Sequence, residues 1–209
     1  VPIDDRTYPV NLRVAGRRCL VVGGGPVAWQ KAQGLLECDA IVHVVAPAAI
    51  DELAAHPGLT WHRRRYERGE VSDYRLVITA TDDPAVNAAV FDDGEAAGVW
   101  VNSADDPANC AFILPSRVRR DPLLVTFSTG GHSPALATWL RRRFTDEFGP
   151  EYVELIEVLA DARRQLQRDN RPTEGLDWQG ALDSGMLELI REGNLAEAKE
   201  RLEACLSSS

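Results

Sequence analysis

A short apolar run that breaks into glycines and then into a helical pattern limits what this chain can become. Cys19, Leu20, Val21 and Val22 are followed by Gly23, Gly24 and Gly25, then by Pro26, Val27 and Ala28. The run is short, β-branched and stopped by glycine, so Leu20 to Val22 predicts a strand buried on both faces. From Val27 to Cys38, Val27, Ala28, Leu35 and Leu36 recur among Gln30, Lys31, Gln33 and Glu37, which predicts a helix lying on a sheet. Gly23-x-Gly25-x-x-Ala28 fits the dinucleotide fingerprint with alanine in its last place. Gly23 makes the tight turn, Gly25 lets backbone approach a pyrophosphate, and small Ala28 lets helix and strand pack closely. The helix start would then face the phosphates with free N–H groups and the positive end of its dipole. Pro26 suits that start, because a first-turn N–H has no partner within the helix. Glycine turns of this kind also join strands to helices that bind nothing, so the surrounding pattern has to decide.

That pattern is an alternation. Strands are expected at Ile41 to Ala46, Leu59 to Arg64, Arg75 to Ala80 and Val99 to Val101, with helices at Ile50 to Ala55 and Pro84 to Ala97, the latter capped by Asp82 or Asp83. Each parallel pair needs a crossover, so the expectation is an α/β fold, a Rossmann-like parallel sheet with helices on both faces. Ligands of such sheets sit beyond the strands' C-terminal ends. Gly23 to Gly25, Ala46-Pro47, Ala80-Thr81-Asp82 and Asn102 to Asp105 should therefore converge on one crevice.

Past Pro107 the grammar changes. Phe112 to Val118 and Leu123 to Ser128 read as a hairpin turning at Arg119 to Pro122. Ser133 and Pro134 then open a helix through Phe148, and from Glu151 the pattern is helical, with Val153, Ile156 and Leu159 on one stripe. At 209 residues and 44% hydrophobic content the chain can bury a real core. No apolar run approaches the roughly 20 residues of a membrane span, and the polar start, Val1 to Arg6, is unlike a signal peptide. The four scattered cysteines suggest neither a zinc site nor a disulfide framework, which points to reduced thiols in a cytoplasm. A net charge of -9 argues against nucleic acid as a partner. The charge is unevenly spread: residues 114–150 carry six arginines against three acids, whereas thirteen acids face seven basic residues from Glu151 onward.

Several positions need weighing one by one. A usual NAD-binding unit ends its second strand with an acid for the ribose hydroxyls, but Val45-Ala46-Pro47-Ala48 has none, and no arginine stands there for a 2′-phosphate. Asp105 is either a carboxylate on the rim that takes a proton as hydride leaves for the cofactor, or part of a turn before Pro107. Cys110 reads as a structural thiol. His132 reads as a loop residue, and Arg141 to Arg143 as either a solvated face or a binder of carboxylates.

Taken together, Tyr8-Pro9-Val10, Val22 to Ala28 with Lys31, Ala80-Thr81-Asp82-Asp83, Asn87, Asn102 with Asp105-Asp106-Pro107, Phe112 to Pro115 and Ser128 to Pro134 resemble the precorrin-2 dehydrogenase family of siroheme synthesis. The likeness runs from Tyr8 to Phe148, and one departure is Gln30, where the family commonly has arginine. The resemblance implies NAD as cofactor, precorrin-2 as substrate and sirohydrochlorin as product, with ferrous iron a substrate in members that go on to siroheme. It implies a Rossmann domain over 1–113, a dimerisation segment over 114–150 and a helical domain over 151–209, paired as a homodimer in the cytoplasm with no membrane partner. The family's essential aspartate falls on Asp105. The cofactor residues fall on Gly23, Gly24, Gly25, Pro26, Val27, Ala28, Pro47, Ala48 and Thr81. Asn102, Ser128, Thr129, Gly130, Gly131 and His132 are candidates for the substrate, and no residues are expected to hold a permanent metal. The alternatives are a dehydrogenase without iron insertion and a regulatory module that senses NAD without turnover.

Overall fold

Strand β1 (Arg18–Val22) is buried from its second residue onward, with Cys19, Leu20 and Val21 fully shielded from solvent. A computed structural model describes residues 6–104 and 106–207. By contacts the chain divides into two units, one running to Leu114 and including Gly130–His132, the other holding Pro115–Thr129 and the chain from Ser133 onward.

In the first unit, β1, β2 (Ile41–Val45), β3 (Leu59–His62), β4 (Leu76–Thr79) and β5 (Trp100–Ser103) form one parallel sheet in the order β3-β2-β1-β4-β5. Successive strand residues point to opposite faces, and the cores divide accordingly. Cys19 and Val21 pack with Ala28, Ala32 and Leu35 of helix α1 (Pro26–Leu36) and Leu53 of the short α2 (Asp51–Ala54). Leu20 and Val22 pack on the other face with Val77, Val101 and Val90 of α3 (Pro84–Ala97). Helices thus cover both faces, and the doubly wound sheet expected from the alternation is present. The third strand is shorter than expected, ending at His62, and a 3-10 turn at Glu70–Asp73 leads into β4.

In the second unit, β6 (Ser116–Arg120) and β7 (Leu123–Phe127) make the hairpin, followed by α4 (Pro134–Glu147), α5 (Glu151–Arg168), α6 (Trp178–Asp183), α7 (Met186–Arg191) and α8 (Leu195–Ser207). The hairpin register corrects the sequence reading. Arg119 and Arg120 pair with Leu124 and Leu123, so they belong to the strand and the turn is Asp121-Pro122 alone. The strand starts late because Phe112 is already packed on the first unit's core, and Pro115 has no N–H to give to a ladder. The buried stripe of α5 is also displaced: Leu155, Val158 and Leu166 are inside, whereas Val153 and Ile156 are only half-buried. Spacings of three alone drift around a helix, and mixing three with four keeps one face against α7 and α8. Among the described residues, no helix is long and apolar enough to cross a membrane.

One pH dependence follows from the sheet. On the α3 face, His43 Nδ1 lies 3.0 Å from His62 Nε2, with the rings stacked, and His43 also meets Tyr74 edge-on. Burial, then Arg18 and His62, push the His43 pKa below its ordinary value. In the unfolded chain His43 takes its proton near pH 6.5, so between that pH and its lower folded value the unfolded state binds more protons. Stability is then full above about pH 6.5 and is lost as the pH falls through that window. Thermal unfolding at pH 8 and pH 5.5 should show the drop, and His43→Gln should flatten it; an unchanged slope in the variant would remove His43 as its source.

Candidate active site

The glycine loop is locked between two neighbouring strand exits. Gly23 N–H donates to Val45 O at 3.0 Å, and Ile50 N–H donates to Gly24 O at 2.9 Å. A Cβ on Gly23 would stand 2.2 Å from Ala80 O, and one on Gly24 2.0 Å from Ala48 O. Both positions therefore exclude any larger residue, and Gly23 also adopts a φ of +129°. Gly25 differs, since a Cβ there would meet nothing within 4 Å. It is the N-cap of α1 and no side chain caps that helix, while Pro26 fills the first position. The first-turn N–H groups thus remain available to a ligand. Ala28 is fully buried beneath the loop.

Beyond this loop lies a cleft of about 700 Å³, a volume in the range of small-molecule and cofactor sites. Gly23, Gly24, Gly25, Pro26 and Val27 line it, together with Pro47 and Ala48 from the β2 exit and Thr81 from the β4 exit. The β2 wall is fixed by Trp61 Nε1, which donates to Ala46 O at 3.0 Å. The β4 wall is fixed by Asn87 of α3, a buried side chain whose amide donates to Thr81 O at 3.0 Å while its Oδ1 accepts from the hydroxyls of Thr79 and Thr81. Asp83 caps α3 by accepting from Ala85 and Val86 N–H, so its carboxylate belongs to the helix.

Among the lining residues that the sequence reading did not single out are Arg65 and Tyr66. The signal was present as Arg63-Arg64-Arg65 immediately after β3, which is itself the C-terminal end of a parallel strand. Tyr66 is placed by a contact 27 residues away, donating its hydroxyl to Asp93 of α3 at 2.6 Å. Burial alone would raise Asp93, but bonds from Tyr66 and Gly69 and the Arg68 ion pair outweigh it and hold the carboxyl below the usual range.

The substrate candidates are dispersed. Asn102 is buried at the end of β5, and its amide donates to Phe112 O at 2.8 Å, so it anchors the chain leaving the sheet. Ala104 N–H bonds to Thr79 O and Asp106 N–H to Ser103 O, whereas Asp105 between them lies outside the described residues. Burial pushes the Cys110 thiol up, and its sulfur accepts from Ser103 N–H, which fits a structural role. Thr129 accepts from Ser133 N–H and Ser133 caps α4. Gly130, Gly131 and exposed His132 cluster with the first unit, Ser128 and Thr129 with the second. Among the described residues, none of these six candidates lines the cleft. Arg141 to Arg143 are exposed on α4.

A family described as "Putative NAD(P)-binding" matches residues 10–116, half of the chain. The chain belongs to this NAD(P)-binding family. Among curated proteins it is 37% identical to a siroheme synthase of Nitrosococcus oceani over 203 residues, covering 95% of this chain and 43% of that protein. It is 36% identical to a siroheme synthase of Nitrosomonas europaea, covering 96% and 44% respectively. The chain thus spans less than half the length of these relatives. A solved structure named "SirC, precorrin-2 dehydrogenase" superposes with a TM-score of 0.69 at 25% identity, covering 95% of this chain and 98% of that one. These are proteins of the kind the motifs resemble. The residues present fit the family's dinucleotide: the loop bars side chains from its two clamped glycines, leaves space at the third, and ends on a helix start that no side chain caps.

Proposed function

We propose that the chain is a precorrin-2 dehydrogenase that converts precorrin-2 to sirohydrochlorin with NAD. The observation that carries this is the clamped glycine loop opening on the cleft, in a chain whose relatives are named for siroheme synthesis. Loop residues Gly23 to Val27 would hold the pyrophosphate on the N–H groups of α1, with Pro47 and Ala48 against the adenosine half and Thr81 toward the other half. When bound, NAD supplies the hydride acceptor.

The oxidation removes two hydrogens from carbon, one as hydride and one as a proton. Asp105, which follows β5, is the group we assign to take that proton. Asn102 would act by tying the end of β5 to the chain at Phe112 through its amide bond. Ser128 to His132 would meet the carboxylates of the macrocycle, and the arginines of 114–150 give a polyanionic substrate matching charge. Orientation by such contacts would carry much of the barrier reduction. The same proposal sets the enzyme in the cytoplasm as a homodimer joined through 114–150, which exposed Leu136 and Trp139 on α4 support. Ferrous iron would be substrate of a later insertion into sirohydrochlorin, and an anaerobic assay with sirohydrochlorin and ferrous iron separates a two-step enzyme from a dehydrogenase alone.

Anaerobic incubation with precorrin-2 and NAD should yield NADH and sirohydrochlorin in equal amounts. Binding of NAD without oxidation of the tetrapyrrole would instead favour a regulatory module.

A further inference from the structure

Arg65 and Tyr66 belong to none of the motifs on which the dinucleotide reading rests, yet both line its cleft. The chain on either side of Arg65 is tied down. Arg64 makes two bonds to the Glu70 carboxylate, at 3.0 and 2.7 Å, and Glu67 N–H donates to that carboxylate at 2.8 Å. On the other side Asp93 accepts from the Tyr66 hydroxyl and from Gly69 N–H, and it pairs with Arg68 at 2.7 Å. Arg65 itself is exposed, and its guanidinium has no hydrogen-bond or ion-pair partner among the described residues. The backbone that carries this cation is anchored at the cleft wall, and the guanidinium is left available to an anion.

The sheet order says which part of a dinucleotide would meet it. In β3-β2-β1-β4-β5, Arg65 leaves β3, on the side of β1 where an adenosine ribose is received at the end of β2. The acid that usually stands there selects ribose hydroxyls and repels a 2′-phosphate, but Val45 to Ala48 carry no charge. The acids that do line the cleft, Asp82 and Asp83, leave β4 on the opposite side of β1, and Asp83 is engaged in capping α3. With neighbouring strands about 4.8 Å apart, β3 and β4 are separated by three spacings. The adenosine end is therefore the positive end.

We propose that Arg65 makes the β2–β3 end of the cleft a subsite for a ribose 2′-phosphate, so that the chain takes NADP as well as NAD; this rests on the dinucleotide reading above. A guanidinium offers paired N–H donors that match phosphate oxygens, and the anchored flanks reduce the cost of ordering it.

The test is calorimetric titration of NAD and NADP into the full chain and into Arg65→Ala at one fixed ionic strength, since an exposed charge pair is screened by salt. NADP should bind the parent chain within about tenfold of NAD, and Arg65→Ala should raise the ratio of the NADP to the NAD Kd by about tenfold or more, the scale of one hydrogen-bonded charge. A parent chain that binds NADP more than tenfold less tightly than NAD, or a variant whose ratio moves by less than tenfold, overturns the assignment. Failure of the parent chain to bind either nucleotide would overturn the dinucleotide reading itself, and no outcome that spares NAD binding imitates that result.

Discussion

Replacing Asp105 with asparagine is expected to lower kcat for precorrin-2 oxidation by on the order of a thousandfold while NAD still binds. The size comes from what the residue is asked to do: positioned proton transfer is generally worth about a hundredfold to ten-thousandfold. Asparagine keeps the shape and the ability to accept a hydrogen bond but cannot carry the proton away. The NAD half of the expectation follows from the described residues that line the cleft, among them Gly23 to Val27, Pro47, Ala48 and Thr81, which the substitution leaves unchanged. Single-turnover measurement at saturating NAD, beside calorimetry with NAD alone, reads the two halves separately. A variant that turns over within tenfold of the parent would leave the proton to water or to another group, and Asp105 would lose its assigned role.

What could be read in advance divides by distance along the chain. The β1–loop–α1 unit was legible because every signal in it is local: a buried β-branched run, glycines at the turn, proline at the helix start, and all within ten residues. The capping of α3 by Asp83 was legible for the same reason. Errors appear where a distant partner overrides a local pattern. The run from Phe112 to Val118 has strand character throughout, but its first residues are claimed by Asn102 and the first core, so pairing begins only at Ser116. The cleft wall at Arg65 and Tyr66 depends on Glu70, which bonds Arg64, and on Asp93, which bonds Tyr66, and the run of arginines by itself names neither carboxylate. Asn102 shows the reverse case. Its place at a strand end suggested contact with a ligand, whereas the buried amide already serves the backbone of Phe112.

The glycine loop offers the sharpest separation of fold from cofactor, because two adjacent glycines should fail in different ways. In Gly24→Ala the new methyl would stand 2.0 Å from Ala48 O and 2.9 Å from Ala49 Cα, backbone atoms that cannot swing aside as a side chain could. Either the loop or the β2 exit must shift, at the cost typical of overpacking, about 1–3 kcal/mol. Because Gly24 and Ala48 both line the cleft, the shift should carry away cofactor affinity as well, by about a hundredfold or more if the N–H groups of α1 are displaced from the phosphate. Gly25→Ala meets no such obstacle: its φ of -85° suits any residue and the methyl enters open space. Its cost to stability should stay within about 1 kcal/mol, the scale of an N-cap change. That open space is nevertheless the approach of a pyrophosphate, so NAD affinity should fall by at least about tenfold with the melting temperature nearly unchanged. Thermal unfolding and NAD titration on both variants test this together. A Gly25→Ala protein that binds NAD as tightly as the parent would mean that no phosphate comes close to this loop, and the cleft would have to serve a different ligand.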